Sequence, residues 1–524
     1  MSHARRAPAT ATGFAEVLAL RAARTPDALA YGFLDGRGRV AATWTYGELA
    51  RRARAIGRQL AGAAGQRVLL VAPPGAAFVE QLFGCFHAGA VAVPVPPGVG
   101  LRPLERLASI AADARPALVL AAASVTAPLD PPAPWLVADG EGPDGGAPAP
   151  PGPLTLLQYT SGSTGTPRGV MLAQGHLLAG SAAIYAAFGH DDGSAALVWL
   201  PPHHDMGLVG GILQPMFGGF PGYLMAPTAF LKRPAAWLAA IAATGATTSG
   251  GPNFAYDLLA TRLRPQDLAG LDLSRWRIAF SGAEPVRATT LARCAAALAP
   301  AGFAPSAWYP CYGLAEATLL ATGPTAGAGA RLVDLPGRAR PLVACGRPFG
   351  LDLAIVDPTT LTPAAEGEVW LAGPAVAAGY WDRPAETAAA FGAHLADGRG
   401  PYLRTGDMGR LVDGELVLTG RCKDLLIVDG RNLDPHDLEA CAAAAHEAVG
   451  AAAAFAVEGD DGERIVLALE TTVDVTAAVR AAAARDHGVT LADIVLCRPH
   501  SLPRTTSGKI RRHAARDQYL NAFV

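Results

Sequence analysis

Charge is scarce in this chain. Asp, Glu, Lys and Arg make up 17% of its 524 residues, and 43 Lys and Arg against 45 Asp and Glu leave a net charge of −2. No basic tail or acidic run stands out, which disfavours a polyelectrolyte partner such as nucleic acid. Although 51% of the residues are hydrophobic, no apolar run sustains the ~20 residues of a membrane span; one long uncharged stretch, residues 169–189, is broken by Gln174, His176 and several glycines. The seven cysteines, Cys85, Cys294, Cys311, Cys345, Cys422, Cys441 and Cys497, form no CxxC pair. That spacing argues against a disulfide frame or a zinc site and for reduced thiols, as in a cytoplasmic protein. The N-terminal "MSHARRAPATATGFAEVLAL" has no apolar core before Ala15 and no small-residue processing site, so it does not read as a signal peptide. Neither GxxxxGK[ST] nor G-x-S-x-G can be laid on the Ser/Thr/Gly-rich stretch near residue 160, and no repeat of fixed period is present.

What is present is an alternation of short apolar runs with helical patterns. "RVLLVA" (67–72), "FVEQLFGCFHAGAVAVPV", "LRPLERLASIAADA" and "ALVLAA" (117–122) follow one another as βαβ units do, which predicts parallel sheet. A Pro/Gly-rich loop covers residues 140–153. The strand-like "LTLLQY" follows it, and "ALVWLPP", "WRIAFSGAEP" and "SAWYPCYG" are further apolar runs that end in glycine, proline or polar residues. Ligands of open α/β sheets lie beyond the carboxyl ends of strands, so these four endings are candidates to share one crevice. From residue 351 short β-like runs take over, "LDLAIVD", "GEVWLAG" and "GELVLTG", and near Gly420 a compact α+β pattern begins. The expected fold is α/β: a large N-terminal domain, 1–420, of parallel-sheet subdomains plus a small β subdomain, followed by a mobile α+β C-terminal domain, 421–524.

"LQYTSGSTGTPRGVML" (157–172) concentrates hydroxyls, glycines and one arginine between two apolar runs. Small residues let the backbone approach a polyphosphate, hydroxyls and N–H groups donate to its oxygens, and Arg168 adds a forked cation. By composition alone the same loop could be a surface turn.

"YTSGSTGTPRGV" resembles the phosphate loop of the adenylate-forming enzymes, which include acyl-CoA synthetases, nonribosomal peptide adenylation domains and luciferases. "SGAEPV" (281–286), "YGLAEATL" (312–319), "GEVWLAGPAVAAGYWDRPAET", "YLRTGD" (402–407), "GRCKDLLIVDGRNLDPHDLE" and "LPRTTSGKIRR" match that family's later motifs in order, so the resemblance spans about residues 15–524. "WLPPHHDMGLVGGILQPMFGGFPGYLMAP" (199–227) and "GRN" followed by "PHDLE" are similar to its fatty acyl-AMP ligase branch. The two adjacent histidines lack the pattern of a third zinc ligand. Gly-rich, apolar sequence after them suits the walls of a narrow acyl tunnel, where missing side chains leave room.

The resemblance implies ATP and Mg²⁺ as cofactors and a carboxylic, fatty acid as substrate. Thr160, Ser161, Gly162, Ser163, Thr164 and Gly165 are expected to wrap the terminal phosphates, with Arg168 standing where the family usually has lysine. Glu316 is expected to hold Mg²⁺, a hard cation that takes carboxylate oxygen. Tyr312, with Gly313 beside it, is expected to stack on adenine, and Gly282, Ala283 and Glu284 to line the other side. Asp407 and Arg421 are expected at the ribose. His204, Asp205, Met206, Gly207, Gly250 and Gly251 are expected at the acyl substrate, Lys423 at the hinge, and Lys509 at the point where carboxylate meets α-phosphate.

The implied reaction is activation of the acid to an acyl-adenylate, then transfer to the phosphopantetheine thiol of a holo acyl carrier protein, or of a carrier domain in a polyketide or nonribosomal peptide synthase. The segment after "YGLAEAT" is shorter than in most fatty acyl-AMP ligases, which keeps CoA open as the acceptor. An inactive nucleotide-binding relative and activation of a non-carboxylate oxyanion are the remaining alternatives.

Overall fold

A computed structural model describes residues 11–97, 101–126, 131–143, 145–161, 167–336, 338, 340–422, 426–428, 431–433, 435–459, 462–504 and 510–522. Two sheets dominate the first 350 residues. One has six strands in the order Trp135–Val137, Leu118–Ala121, Arg67–Val71, Val91–Val95, Leu156–Ser161 and Pro167–Leu172. All its neighbours are parallel except the last pair, an antiparallel hairpin. The expected βαβ reading holds here. "VLLV" and "VAVPV" are apolar at nearly every position because helices cover both faces of a parallel sheet.

The second sheet has seven strands: Trp308–Pro310, Ile278–Ser281, Thr248–Gly251, Ala196–Val198, Gly222–Leu224, Leu29–Leu34 and Val40–Thr45. Only the last pair is antiparallel. Three of the four strand endings expected to share a crevice therefore lie on one sheet, and the fourth, Leu156–Ser161, lies on the other. Gln158 Nε2 joins the two sheets by donating to the His203 carbonyl at 2.6 Å. The β-like runs after residue 351 form a four-stranded antiparallel sheet of Asp352–Val356, Gly367–Ala372, Leu403–Val412 and Glu415–Arg421.

Beyond Arg421 the chain is α+β. Ala452–Gly459 and Gly462–Glu470 form an antiparallel pair, and Asp493–Cys497 runs parallel to the second of them. Helices Pro435–Ala445, Thr476–His487 and Arg512–Ala522 accompany them. Two apolar clusters here, one from Leu426 to Ile494 and one from Ala453 to Ala515, draw no buried member from earlier residues. Across this junction Arg338 pairs with Asp437 and donates to the Thr419 carbonyl at 2.7 Å.

One buried carboxylate gives the N-terminal part a pH signature. Helix Tyr46–Gln59 is started by a capping box between Thr45 and Glu48, and it carries Arg52 to 3.2 Å from Glu80 on helix Ala76–His87. Glu80 is only 5% exposed in its side chain, and burial raises its pKa from 4.5 to about 7 against the opposing pull of Arg52. The folded state thus holds this proton more tightly than the unfolded chain. The Glu80 contribution is most favourable below pH 4.5 and is lost as pH rises to about 7. Glu80→Gln is expected to remove that slope, worth at most about 3 kcal/mol. Urea unfolding of both proteins above and below the window checks it: an equal stability difference on the two sides shows that Glu80 does not titrate there.

Candidate active site

Strands Ile278–Ser281 and Trp308–Pro310 are neighbours, and the segments that leave their carboxyl ends bring Gly282–Glu284 beside Tyr312–Gly313. A Cβ on Gly282 would lie 2.9 Å from the Cys311 carbonyl, and one on Gly313 only 1.8 Å from the Leu319 carbonyl, so the close approach at Gly313 requires glycine. Ala283 adopts a left-handed φ of +66°, a strained backbone of the kind that collects at ligand sites. Glu284 Oε1 accepts the Phe254 N–H at 2.5 Å, in the first turn of helix Asn253–Arg262, which ties down this corner.

Tyr312 is buried and donates its hydroxyl to Asp407 Oδ2 at 2.7 Å. Arg421 Nε meets the other oxygen, Oδ1, at 2.8 Å, because the antiparallel register sets Asp407 opposite Arg421. Burial, and then the nearby Asp407 charge, push the Tyr312 hydroxyl well above its ordinary pKa. The structure therefore gathers Tyr312, Asp407 and Arg421 at one place from sequence positions up to 109 apart (421 minus 312). A carboxylate has lone pairs enough to accept further donors beside these two.

Glu316 lies on the short helical turn Ala315–Ala317. Its Oε1 accepts the Tyr380 hydroxyl at 2.9 Å, and its backbone carbonyl accepts the Ala377 N–H at 2.8 Å. Burial raises the Glu316 pKa, the Asp205 and Asp407 charges add to the rise, and the Tyr380 hydrogen bond opposes it. Segment 377–381 runs on to pair with strand Pro167–Leu172: Met171 N donates to Gly379, Ala378 N to Met171, and Trp381 N to Gly169, at 2.8 to 3.0 Å. It thus straps the hairpin Leu156–Leu172 to the Glu316 turn. Arg168 on that hairpin places Nε 2.9 Å from Glu386 Oε2 and its guanidinium carbon 5.4 Å above the Tyr380 ring.

Among the described residues no three His, Cys, Asp or Glu side chains converge as a metal cage. A lone carboxylate such as Glu316 nevertheless suits a Mg²⁺ that arrives on a polyphosphate, since the phosphates bring their own oxygen ligands.

In the stretch expected at the acyl substrate, Asp205 Oδ1 accepts the N–H of Met206, the first residue of a π-helix, Met206–Leu213. Such wide turns are rare and gather at functional sites. The His203 and His204 rings lie 4.6 Å apart, and burial lowers the His203 pKa. At three of the glycines expected here, the space that a side chain would take is filled. A Cβ on Gly207 would stand 2.1 Å from the Pro201 carbonyl, on Gly250 2.1 Å from the Phe280 carbonyl, and on Gly251 2.6 Å from the Trp199 ring. Their missing side chains admit close packing of backbone and ring, not space. Trp199 in turn stacks on Phe230 with centroids 3.9 Å apart. Two open clefts of about 520 and 850 Å³, around Arg37, Arg39, Lys232 and Arg233, touch none of these residues.

Thr160 and Ser161, expected at the phosphates, end the first strand of the hairpin, whose register pairs Ser161 with Pro167. Gly162, Ser163, Thr164, Gly165, Lys423 and Lys509 lie outside the described residues. Lys509 falls between Arg504 and Ile510, which form an antiparallel bridge. Two buried carboxylates hold the flanks. Glu470 accepts the Leu502 N–H at 2.9 Å and Arg504 Nη2 at 3.1 Å, and Glu439 takes Arg512 through two contacts of 2.6 and 2.7 Å. Sequence reading gave no role to Tyr380 or Glu386, although both stand inside the quoted "GYWDRPAET", nor to Glu439 and Glu470.

Comparison with known proteins completes the picture. A family described as AMP-binding enzyme matches residues 18–381. The medium-chain-fatty-acid–[acyl-carrier-protein] ligase JamA of Moorena producens is 39% identical, over 94% of this chain and 93% of its own. The long-chain-fatty-acid–AMP ligase FadD26 of Mycobacterium tuberculosis is 36% identical over 98% of both chains. The crystal structure of a fatty acyl-adenylate ligase from L. pneumophila, in complex with acyl adenylate and pyrophosphate, superposes with a TM-score of 0.76 at 35% identity and covers 98% of this chain and 97% of that one.

Proposed function

The chain belongs to the AMP-binding enzymes, and from that membership we propose that it is an ATP-dependent fatty-acid ligase that forms an acyl-adenylate and passes the acyl group to the thiol of a holo acyl carrier protein. A carboxylate oxygen of the fatty acid attacks the α-phosphorus of ATP, the bond to the pyrophosphate oxygen breaks, and pyrophosphate leaves. The phosphopantetheine sulfur then attacks the acyl carbon, its proton is lost, and AMP departs. The observation that carries the reading is the convergence of Tyr312, Asp407 and Arg421 with the strap that joins Glu316, Tyr380 and Arg168.

In this reading Tyr312 and residues 282–284 flank adenine, and Asp407, held by Tyr312 and Arg421, accepts the ribose hydroxyls. Thr160 to Gly165 and Arg168 face the β- and γ-phosphates. Glu316 holds Mg²⁺, which neutralises phosphate charge when bound, and Tyr380 fixes the carboxylate that meets it. Residues 204–207 with Gly250 and Gly251 border the acyl chain. Domain 421–524 swings about Lys423 and delivers Lys509 to the developing negative charge at the α-phosphate; its separate apolar clusters support treating it as a unit. The cytoplasm is the proposed compartment, supported by seven free cysteines and by no helix, among the described residues, long and apolar enough to cross a membrane.

Incubation with ATP, Mg²⁺ and a panel of fatty acids, with holo carrier protein or CoA supplied separately, tests this. Pyrophosphate release with a thioester on the carrier is expected. A thioester on CoA alone overturns the acceptor, and no acid-dependent pyrophosphate overturns the ligase.

A further inference from the structure

The Arg168 guanidinium has an unusual neighbourhood for a group expected to hold phosphate. Its nearest anion is the Glu386 carboxylate, with Nε and Oε2 2.9 Å apart. The contact is close, yet Oε2 is buried and accepts no hydrogen bond from any described residue. The pair is therefore held by charge without a well-aimed N–H, and a planar fork with five donors is left able to serve a better acceptor.

Glu386 itself is fixed. It sits in the first turn of helix Pro384–Phe391, and its Oε1 lies 3.5 Å from Arg383 Nη1. Arg383 is anchored through Nη2 to Asp113 at 2.8 Å, and Asp113 accepts the hydroxyl of Tyr159 at 2.6 Å. Tyr159 belongs to the other strand of the same phosphate hairpin, so the carboxylate is referenced to the hairpin it faces. Arg168 also stands over Tyr380, whose hydroxyl holds Glu316.

We propose that Glu386 is a positioning residue that competes with polyphosphate for the Arg168 guanidinium and thereby promotes release of pyrophosphate. The proposal rests on the reading of Arg168 as a phosphate ligand. A triphosphate carries more charge than one carboxylate and takes the fork when ATP binds. After the α-phosphorus bond has broken, the carboxylate that pairs with Nε at 2.9 Å in the structure described recaptures the cation as pyrophosphate leaves. No covalent step is involved.

Glu386→Gln keeps the shape and removes the charge. It is expected to lower both the inhibition constant of pyrophosphate and the KM for ATP by roughly two- to fivefold, the range of a partly exposed ion pair. Arg168→Ala is expected to raise both constants, and Glu386→Gln added to Arg168→Ala is expected to change neither. A shift of the same size in the Arg168→Ala background overturns the proposal, because it then acts through something other than the guanidinium. So does a fall in melting temperature with both constants unchanged, which is the mark of a merely structural acid. If Arg168→Ala leaves both constants at their wild-type values, the phosphate role of Arg168 fails and this proposal with it. Acid-dependent pyrophosphate release by the wild-type enzyme is a separate measurement and is untouched by that result.

Discussion

Replacing Lys509 by alanine is expected to slow acyl-adenylate formation by about 10²–10³, or about 3–4 kcal/mol in the barrier, while ATP still binds to the large domain. Two anions must meet at the α-phosphate, and negative charge grows on its oxygens as the carboxylate attacks. A cation brought to that point acts in the transition state, so its loss falls on kcat more than on KM. The described flanks of the lysine are held in place. Arg504 and Ile510 close the loop as a bridge, Arg511 N donates to the Pro503 carbonyl at 2.8 Å, and Glu470 holds both Leu502 and Arg504. Isotope exchange between pyrophosphate and ATP in the presence of acid reads the step directly. Exchange at the wild-type rate in Lys509→Ala removes the lysine from the mechanism.

Glu439→Ala is expected to cost the C-terminal domain about 3–5 kcal/mol, because it leaves a largely buried guanidinium without its carboxylate. The side chains of Arg512 and Glu439 are only 13% and 8% exposed, and Glu439 Oε1 also accepts the Ala454 N–H at 3.0 Å. One residue thus joins helix Pro435–Ala445, strand Ala452–Gly459 and helix Arg512–Ala522. The loss is a large part of the ~5–15 kcal/mol by which domains are stable. Calorimetry is expected to show an early transition from residues after 421, ahead of the main one. Replacing both partners by leucine is expected to recover part of the loss, since an apolar pair leaves no orphaned charge. An unchanged melting profile in the single variant contradicts the account.

Most of the fold was legible because parallel strands buried on both faces read as unbroken apolar runs, as in "RVLLVA" and "ALVLAA". The division into two sheets was not. Strand Leu156–Ser161 and strand Ala196–Val198 look alike in sequence, and the hydrogen bond from Gln158 to the His203 carbonyl, which joins their ends, is not legible from either. The π-helix Met206–Leu213 was missed because a Gly-rich apolar run carries no periodic signal, and nothing in the sequence shows that Gly207 is needed for the close approach of the Pro201 carbonyl. In the site, groups that carry charge inside quoted motifs stood out: Glu316, Asp407, Arg168. Their supporting partners did not, since the contacts run over long stretches of chain. Arg383 and Asp113 are 270 residues apart, and Tyr380 and Glu316 are 64.

The segment 377–381 has a mechanical consequence. It is stitched by main-chain bonds to the hairpin on one side and to the carbonyl of residue 316 on the other, with the phenol of Tyr380 between them. Any tilt of the hairpin is therefore handed to the Glu316 carboxylate as a displacement of its own. Grafting a foreign phosphate loop into this scaffold without the matching stretch of five residues would detune the carboxylate even where every loop residue was copied faithfully.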